Sequence, residues 1–241
     1  MTHCYDATFL KNLCVLCGSV VYNLAFMFIS FEGIDGCGKT TQLELLRAHI
    51  ESEFAKQQSS TRIVQTREPG GTELAETIRN YLLHSSSPLH SRTELLLFGA
   101  SRAQHVEEII RPILSRGDWV LCDRFTDSTV AYQGGGLGLD LAFIDKLNAF
   151  ATDNLTPDLT LLFDVEVEIA QERRSAQRGT DRIEARGTEF QERVRQSYLE
   201  IARENPNRVV VVDAKLPAKI VHNRVVRVLE ERKLWPKNLS N

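Results

Sequence analysis

Paired cysteines, an excess of charge of one sign and a full-length apolar span are all missing from this sequence. The five cysteines, Cys4, Cys14, Cys17, Cys37 and Cys122, follow no disulfide framework. Cys37 falls in a glycine-rich loop and Cys122 in an apolar strand pattern, which reads as a reducing, cytoplasmic compartment. Cys14 and Cys17 form one C-x-x-C without a second pair, so no zinc site is expected. A net charge of −3 gives no bulk affinity for nucleic acid. At 241 residues the chain can build one large α/β domain or two small ones.

The start of the chain also lacks something. No residue from Asn12 to Phe31 is charged. Phe28–Phe31, however, is needed as the strand that feeds the glycine loop, and the remainder is shorter than the ~20 apolar residues of a membrane span. A signal peptide would carry a basic start and a small-residue cleavage site. Asp6 and "YNLAFMF" supply neither. Residues 1–26 are therefore expected to be a non-native or dispensable extension, with no membrane contact and a working domain over 27–241. A peripheral, membrane-associating leader is the alternative.

From Met27 onward the pattern alternates. "MFISFEG", "RIVQT", "WVLCD", "LTLLFD" and "RVVVVDA" read as strands. Helical spacing fills 39–54, 72–83, 92–114, 140–151, 166–176, 188–203 and 217–232. A loop and short helix through Tyr132 lead into "QGGGLG". Apolar strands alternating with helices predict an α/β fold with a parallel sheet covered on both faces. There is no repeat, long linker or composition shift after Met27, so one domain is expected.

"FEGIDGCGKTTQ" carries the chemistry. Gly33, Gly38, Lys39 and Thr40 satisfy G-x-x-x-x-G-K-[ST] between a strand and a helix. The loop Gly33-Ile34-Asp35-Gly36-Cys37-Gly38-Lys39-Thr40-Thr41 can turn backbone N–H groups onto phosphate oxygens, helped by the following helix N-terminus. Lys39 reaches the β- and γ-phosphates of a nucleoside triphosphate, and the Thr40 hydroxyl takes Mg²⁺. A plain glycine turn before a helix is the duller explanation.

The acceptor must be read elsewhere. There is no N/T-K-x-D guanine signature, as a regulatory GTPase would carry. The third strand closes as Asp123-Arg124, not as the acidic pair that polarises water in motor and transport ATPases. Asp123 can serve Mg²⁺ through water, while Arg124 suits a second anionic substrate, although a lone arginine could equally be a surface ion-pair partner. Phe98 and Arg102 share one helix face, and Thr129, Tyr132 and Gln133 precede three glycines. A ring, a fork of donors and an amide beside an arginine suit a nucleoside monophosphate. Taken singly, Phe98 could be core and Gln133 a turn residue.

"FEGIDGCGKTTQ", "TREPGGT", "LLLFGASRAQHV", "DRFTDSTVAYQGGG" and "RGTDRIE" together resemble the bacterial thymidylate kinase family, from about Met27 to the C-terminus. The resemblance implies a three-layer P-loop fold with a five-stranded parallel sheet, a small lid over about 173–187, and a homodimer. It implies transfer of the γ-phosphate of ATP to dTMP with Mg²⁺. It further implies that Asp35 sits near the sugar 3′-hydroxyl and the metal, and that Glu68 lines the monophosphate site. Arg79 and Arg124 hold the dTMP phosphate, Phe98 stacks on thymine, and Arg102 bonds its edge. Thr129 and Gln133 bond the base, Tyr132 disfavours a ribose 2′-hydroxyl, and Arg178 and Arg182 belong to the lid. The chain departs from the family pattern in its N-terminal extension, in Cys37 where alanine is usual, and in the short stretch between Gly179 and Asp181.

The phosphate of dTMP is largely dianionic at neutral pH, its second pKa being ~6, so no strong general base is required. The loop interior has no basic residue, whereas "RRSAQRGTDR" has several, which fits an arginine supplied by the lid. Arg174 is the next candidate after Arg178 and Arg182. A kinase for dUMP or a deoxynucleoside shares nearly every feature. A non-catalytic ATP-binding switch protein is less compatible with an intact Lys39, Asp123 and Arg124.

Overall fold

The computed structural model describes residues 26–85, 87–175 and 182–234. Residues 1–25, and with them almost all of the proposed extension, lie outside the described residues, as does Arg178. Five strands form one sheet: β1 (Phe28–Glu32), β2 (Ile63–Arg67), β3 (Trp119–Asp123), β4 (Leu159–Asp164) and β5 (Val209–Asp213). Their order is β2-β3-β1-β4-β5, and every pairing is parallel. β1 sits at the centre and is buried along its whole length.

Alternation along the strands sends successive side chains to opposite faces. Ile29, Phe31 and Leu121 join a core with Leu43, Leu46 and Ile50 of α1 (Lys39–Lys56). Phe28, Val120 and Cys122 join a second core with Val106, Ile110, Ile113 and Leu114. Phe31 stacks on Phe163 at 5.9 Å between ring centres. This is the doubly covered sheet that the apolar strands imply.

The remaining helices are α2 (Glu73–His84), α3 (Ser91–His105), α4 (Arg111–Ser115), α5 (Thr126–Thr129), α6 (Leu141–Thr152), α7 (Val167–Ser175), α8 (Thr188–Glu204) and α9 (Ala218–Glu231). The Thr72 hydroxyl caps α2 by accepting from the Ala75 N–H at 3.2 Å, and the Asp140 carboxylate caps α6. By contrast, α1 starts at Gly38 with no side-chain cap and no acidic residue in its first turn. Its first N–H groups are therefore left for a ligand.

One expectation needs correction. The single helix expected over 92–114 is interrupted: a wide π-helical turn, Val106–Ile110, separates α3 from α4. Pro112, in the first turn of α4, has no N–H and crowds the carbonyl four residues back, which widens the turn before it. The stretch "QGGG", to which the sequence assigns no element, is part of a wide helical turn, Val130–Gly136, packed against α8. Glycine here serves close approach. A Cβ on Gly135 would lie 2.4 Å from Ser197 Cβ, and one on Gly136 would lie 2.5 Å from the Phe190 ring.

Gly135→Ala should therefore lower unfolding free energy by about 1–3 kcal/mol through overpacking. Adding Ser197→Gly should recover part of that loss in denaturant titrations. A neutral Gly135→Ala, or a double variant no more stable than the single, would show that this contact does not set the packing.

Candidate active site

The parallel register brings the C-terminal ends of β1, β2 and β3 together. Phe31 pairs with Asp123, and Arg67 pairs with the same residue from the other side. The segments that follow these strands surround a cavity of about 690 Å³. Asp35, Gly36, Gly38, Lys39, Thr40 and Thr41 line its floor, Glu68 and Arg79 one wall, and Phe98 and Arg102 another. Thr129, Tyr132 and Gln133 close the far side, and Asp123 and Arg124 stand between the two halves.

In the glycine loop, Lys39 Nζ donates to the carbonyls of Gly33 and Ile34, both at 3.0 Å, and lies 4.0 Å from Asp35. The ammonium thus occupies the hollow of its own loop. Cys37 is buried beneath it, and burial pushes its thiol up from the ordinary value. Thr40 Oγ1 donates to Asp123 Oδ2 at 2.8 Å in an exposed setting. A hydroxyl and a carboxylate converging beside the loop form a hard oxygen pair that suits Mg²⁺. Among the described residues no group of three His, Cys, Asp or Glu side chains could hold a metal alone. An ion here would need oxygens from a ligand and from water.

Arg124 follows β3 in the left-handed region, at φ 73°. That backbone turn swings its guanidinium back over the glycine loop. Nη2 donates to Asp35 Oδ1 at 2.7 Å and to Tyr132 Oη at 3.0 Å. Nη1 donates to Ser128 Oγ and Tyr198 Oη, both at 3.1 Å. Tyr132 also donates to Asp35 Oδ2 at 3.0 Å. Burial would raise the Asp35 carboxyl, but Arg124 and Lys39 outweigh it and hold the group well below the usual carboxylate range.

Beneath Arg124, Glu32 accepts from the Phe125 N–H and from Ser128 Oγ, each at 2.6 Å, and from Tyr198 Oη at 2.9 Å. Burial, together with the nearby Asp127 carboxylate, pushes Glu32 up to about 7 from the ordinary 4.5.

On the opposite wall Arg102 is 2% exposed. It donates to Glu68 at 2.7 Å, Thr129 at 2.8 Å, Asn148 at 2.7 Å and the Phe125 carbonyl at 3.1 Å. Four of its five N–H groups are thus engaged by the protein, and one Nη2 hydrogen remains. His105 completes the Glu68 carboxylate at 3.0 Å. Arg79 donates to the Pro69 carbonyl at 2.8 Å. Gln133 Nε2 donates to Glu94 at 3.0 Å.

Arg182 turns away from the loop. Its Nε donates to the Leu82 carbonyl at 2.9 Å and its Nη2 to Glu94 at 2.6 Å. Arg173 and Arg174 line the cavity instead. Arg173 is anchored on the carbonyls of Ala214 and Lys215. A second cavity of about 430 Å³ lies across the glycine loop, against Cys37, Thr41, Gln42, Arg173 and the stretch 214–218.

Sequence reasoning assembled the loop, Arg124 and the Phe98/Arg102 pair but missed Glu32, Ser128, Tyr198, Asn148 and Glu94. Glu32 stands inside the quoted loop motif, directly before Gly33, and could have been found there. Tyr198, on α8, carries no local signal.

A family model described as thymidylate kinase matches residues 31–225. The chain is 48% identical to the thymidylate kinase of Kosmotoga olearia over 201 residues, covering 83% of this chain and 94% of that one. It is 49% identical to the thymidylate kinase of Cyanothece sp. over 222 residues, covering 86% and 94%. A crystal structure of thymidylate kinase from Ehrlichia chaffeensis superposes with a TM-score of 0.70 at 39% identity, covering 85% of this chain and 99% of that one.

Glu32 yields a pH prediction. Its folded pKa is raised, so its contribution to stability is fully present below the unfolded value of 4.5 and is lost as pH rises through about 7. Between those limits the melting temperature of Glu32→Gln should depend less on pH than that of the wild type. Parallel curves for the two proteins would show that Glu32 does not carry the linkage.

Proposed function

The chain belongs to the thymidylate kinase family, and from that premise we propose how its residues share the work of moving the γ-phosphate of ATP onto dTMP to give dTDP. The observation that carries this reading is Arg124, which joins the phosphate loop to the acceptor cavity through Asp35 at 2.7 Å. A guanidinium there faces both nucleotides at the point where a phosphoryl group must cross.

On the donor side, Lys39 leaves the carbonyls of Gly33 and Ile34 and follows the β- and γ-phosphates. The loop N–H groups and the uncapped start of α1 take the phosphate oxygens. The adenine end suits the second cavity, beside Thr41, Gln42 and Arg173. Thr40 and Asp123 would hold Mg²⁺, which would supply neutralisation of charge on the transferring group.

On the acceptor side, Phe98 stacks on thymine, and Gln133, Thr129 and the remaining Arg102 hydrogen meet its edge. Tyr132 and Asp35 flank the sugar, Glu68 lines the seat, and Arg79 and Arg124 hold the phosphate. The attacking atom is a dTMP phosphate oxygen, so positioning and charge do the rest. Arg182 is committed to Glu94, which leaves Arg178 and Arg174 as the lid cations for the transferring group.

A homodimer accounts for the apolar residues on three neighbouring helices. Phe150 is 85% exposed and Phe143 50% exposed on α6, Leu96 of α3 and Tyr81 of α2 are exposed too, and α3 packs against both α2 and α6. Among the described residues no helix is long and apolar enough to cross a membrane. Free, buried Cys37 and Cys122 suit a reducing cytoplasm.

The test is coupled ADP release with ATP, Mg²⁺ and each nucleoside monophosphate in turn. We expect dTMP to be the best acceptor, dUMP weaker and dCMP poor. Arg124→Ala should lower kcat/KM for dTMP by roughly 10²–10³, the range for a lost transition-state donor. Equal turnover of all pyrimidine monophosphates, or an unimpaired Arg124→Ala enzyme, would overturn the assignment.

A further inference from the structure

Glu94 belongs to no motif, yet it is fully buried and bonded to Gln133, which lines the acceptor cavity. Its Oε1 accepts from Gln133 Nε2 at 3.0 Å and from Arg186 at 3.2 Å. Its Oε2 accepts from Arg182 at 2.6 Å and from Arg186 at 2.5 Å. Burial alone would raise the carboxyl, but the hydrogen bonds from Arg186 and Arg182 outweigh it, and its pKa lies below the ordinary value. Glu94 is thus an ionised group that can only accept.

This has a consequence for Gln133. A side-chain amide is ambidextrous: rotated by half a turn about its last bond, it exchanges donor and acceptor. Against a carboxylate that freedom is lost, because the reversed amide would set its oxygen against Oε1 of Glu94. Nε2 must face Glu94. Oε1, which accepts no hydrogen bond among the described residues, and the second Nε2 hydrogen then form a donor–acceptor pair of fixed polarity.

Pyrimidine edges differ in that polarity. Thymine and uracil present an N3–H donor beside the O4 acceptor. Cytosine presents an N3 acceptor beside a 4-amino donor. A locked amide matches only one of them, whereas a free amide could turn to match either.

We propose that Glu94 is a specificity-positioning residue, which locks the Gln133 amide so that the acceptor site accepts the imide edge of thymine and rejects the edge of cytosine. The inference rests on the reading of this cavity as the dTMP seat. Arg182 and Arg186 act behind it by holding the carboxylate in place and charged.

The experiment compares kcat/KM for dTMP and dCMP in the wild type, Glu94→Gln and Gln133→Ala. In Glu94→Gln the second amide can rotate, so Gln133 is released. The dTMP-to-dCMP ratio should then fall about tenfold, the lower end of the cost of an unpaired buried polar group, while KM for ATP stays near the wild-type value. A purely structural Glu94 would lower both acceptors by one common factor, and an unchanged ratio overturns the proposal. Gln133→Ala separates the two levels. If it leaves the ratio unchanged, the cavity is not the base seat. If it collapses the ratio and Glu94→Gln does not, Glu94 alone is misassigned. Should Glu94→Gln fail to fold, Glu94→Asp takes its place, since it keeps the charge for both arginines while withdrawing from Gln133. It should lower the ratio in the same direction, and an unchanged ratio there overturns the proposal equally.

Discussion

The ion pair between Arg124 and Asp35 is the interaction on which the site's shape depends. It spans 89 positions of sequence at 2.7 Å and ties the loop after β1 to the turn after β3. Arg124 is largely buried, and removing either partner would leave an uncompensated charge there. The pair is secured from both sides. Tyr132 bonds both partners, and Ser128 and Tyr198 hold the far edge of the guanidinium. Tyr198 lies on α8, so an outer layer of the fold reaches into the centre of the site. Ser128 and Tyr198 in turn rest on Glu32, at the end of the central strand.

The strand order makes this possible. With β1 between β3 and β4, the glycine loop emerges beside Asp123 and Arg124 on one side and Asp164 and the start of α7 on the other. One flank opens on the large cavity and the other on the smaller one across the loop. A crevice beyond the carboxyl ends of parallel strands is the place where this kind of sheet binds ligands. Here it is divided in two by the loop itself, which suits a reaction with two nucleotides.

Much of this was legible in the sequence. Strands such as Trp119–Asp123, and Leu159–Asp164 with Thr160 as its one polar interruption, are apolar up to a closing Asp, and a run buried on both faces has little else it can be. The phosphate loop is legible because it is local: spacing and neighbours carry its whole meaning. The acceptor site is less so, because it is assembled from α3, α6, α8 and the segments after β2 and β3. Arg102 and Phe98 signal through helical spacing, but Asn148, which fixes Arg102 at 2.7 Å, comes from α6, 46 positions away. The three glycines after Gln133 suggest no element in the sequence because their real constraint, the approach of α8, leaves no trace nearby. The widened turn before Pro112 could have been anticipated, since proline inside a long helical pattern disturbs the turn before it.

Charge distribution connects the site to the whole molecule. Lys39, Arg67, Arg79, Arg102, Arg124, Arg173 and Arg174 line the large cavity, against Asp35, Glu44, Glu68 and Asp123. Seven cations facing four carboxylates leave an excess of three positive charges in a chain whose net charge is −3. The rest of the chain is therefore more negative than the total suggests, and field lines from an anion converge on this concave, positive region. Yet most of those cations are already engaged. Arg124 has four N–H groups on protein acceptors and Arg102 has four, so each keeps one N–H for a ligand before a partner has to be shared or released. Lys39 is engaged mainly by carbonyl oxygens of its own loop, which an arriving phosphate outcompetes as acceptors, with Cys37 Sγ at 3.7 Å and Asp35 at 4.0 Å beside it. The arginines are thus rigid fixtures that define where an anion fits. Lys39 is a cation that can move with it, and that division suits a reaction in which one phosphoryl group travels between two seats.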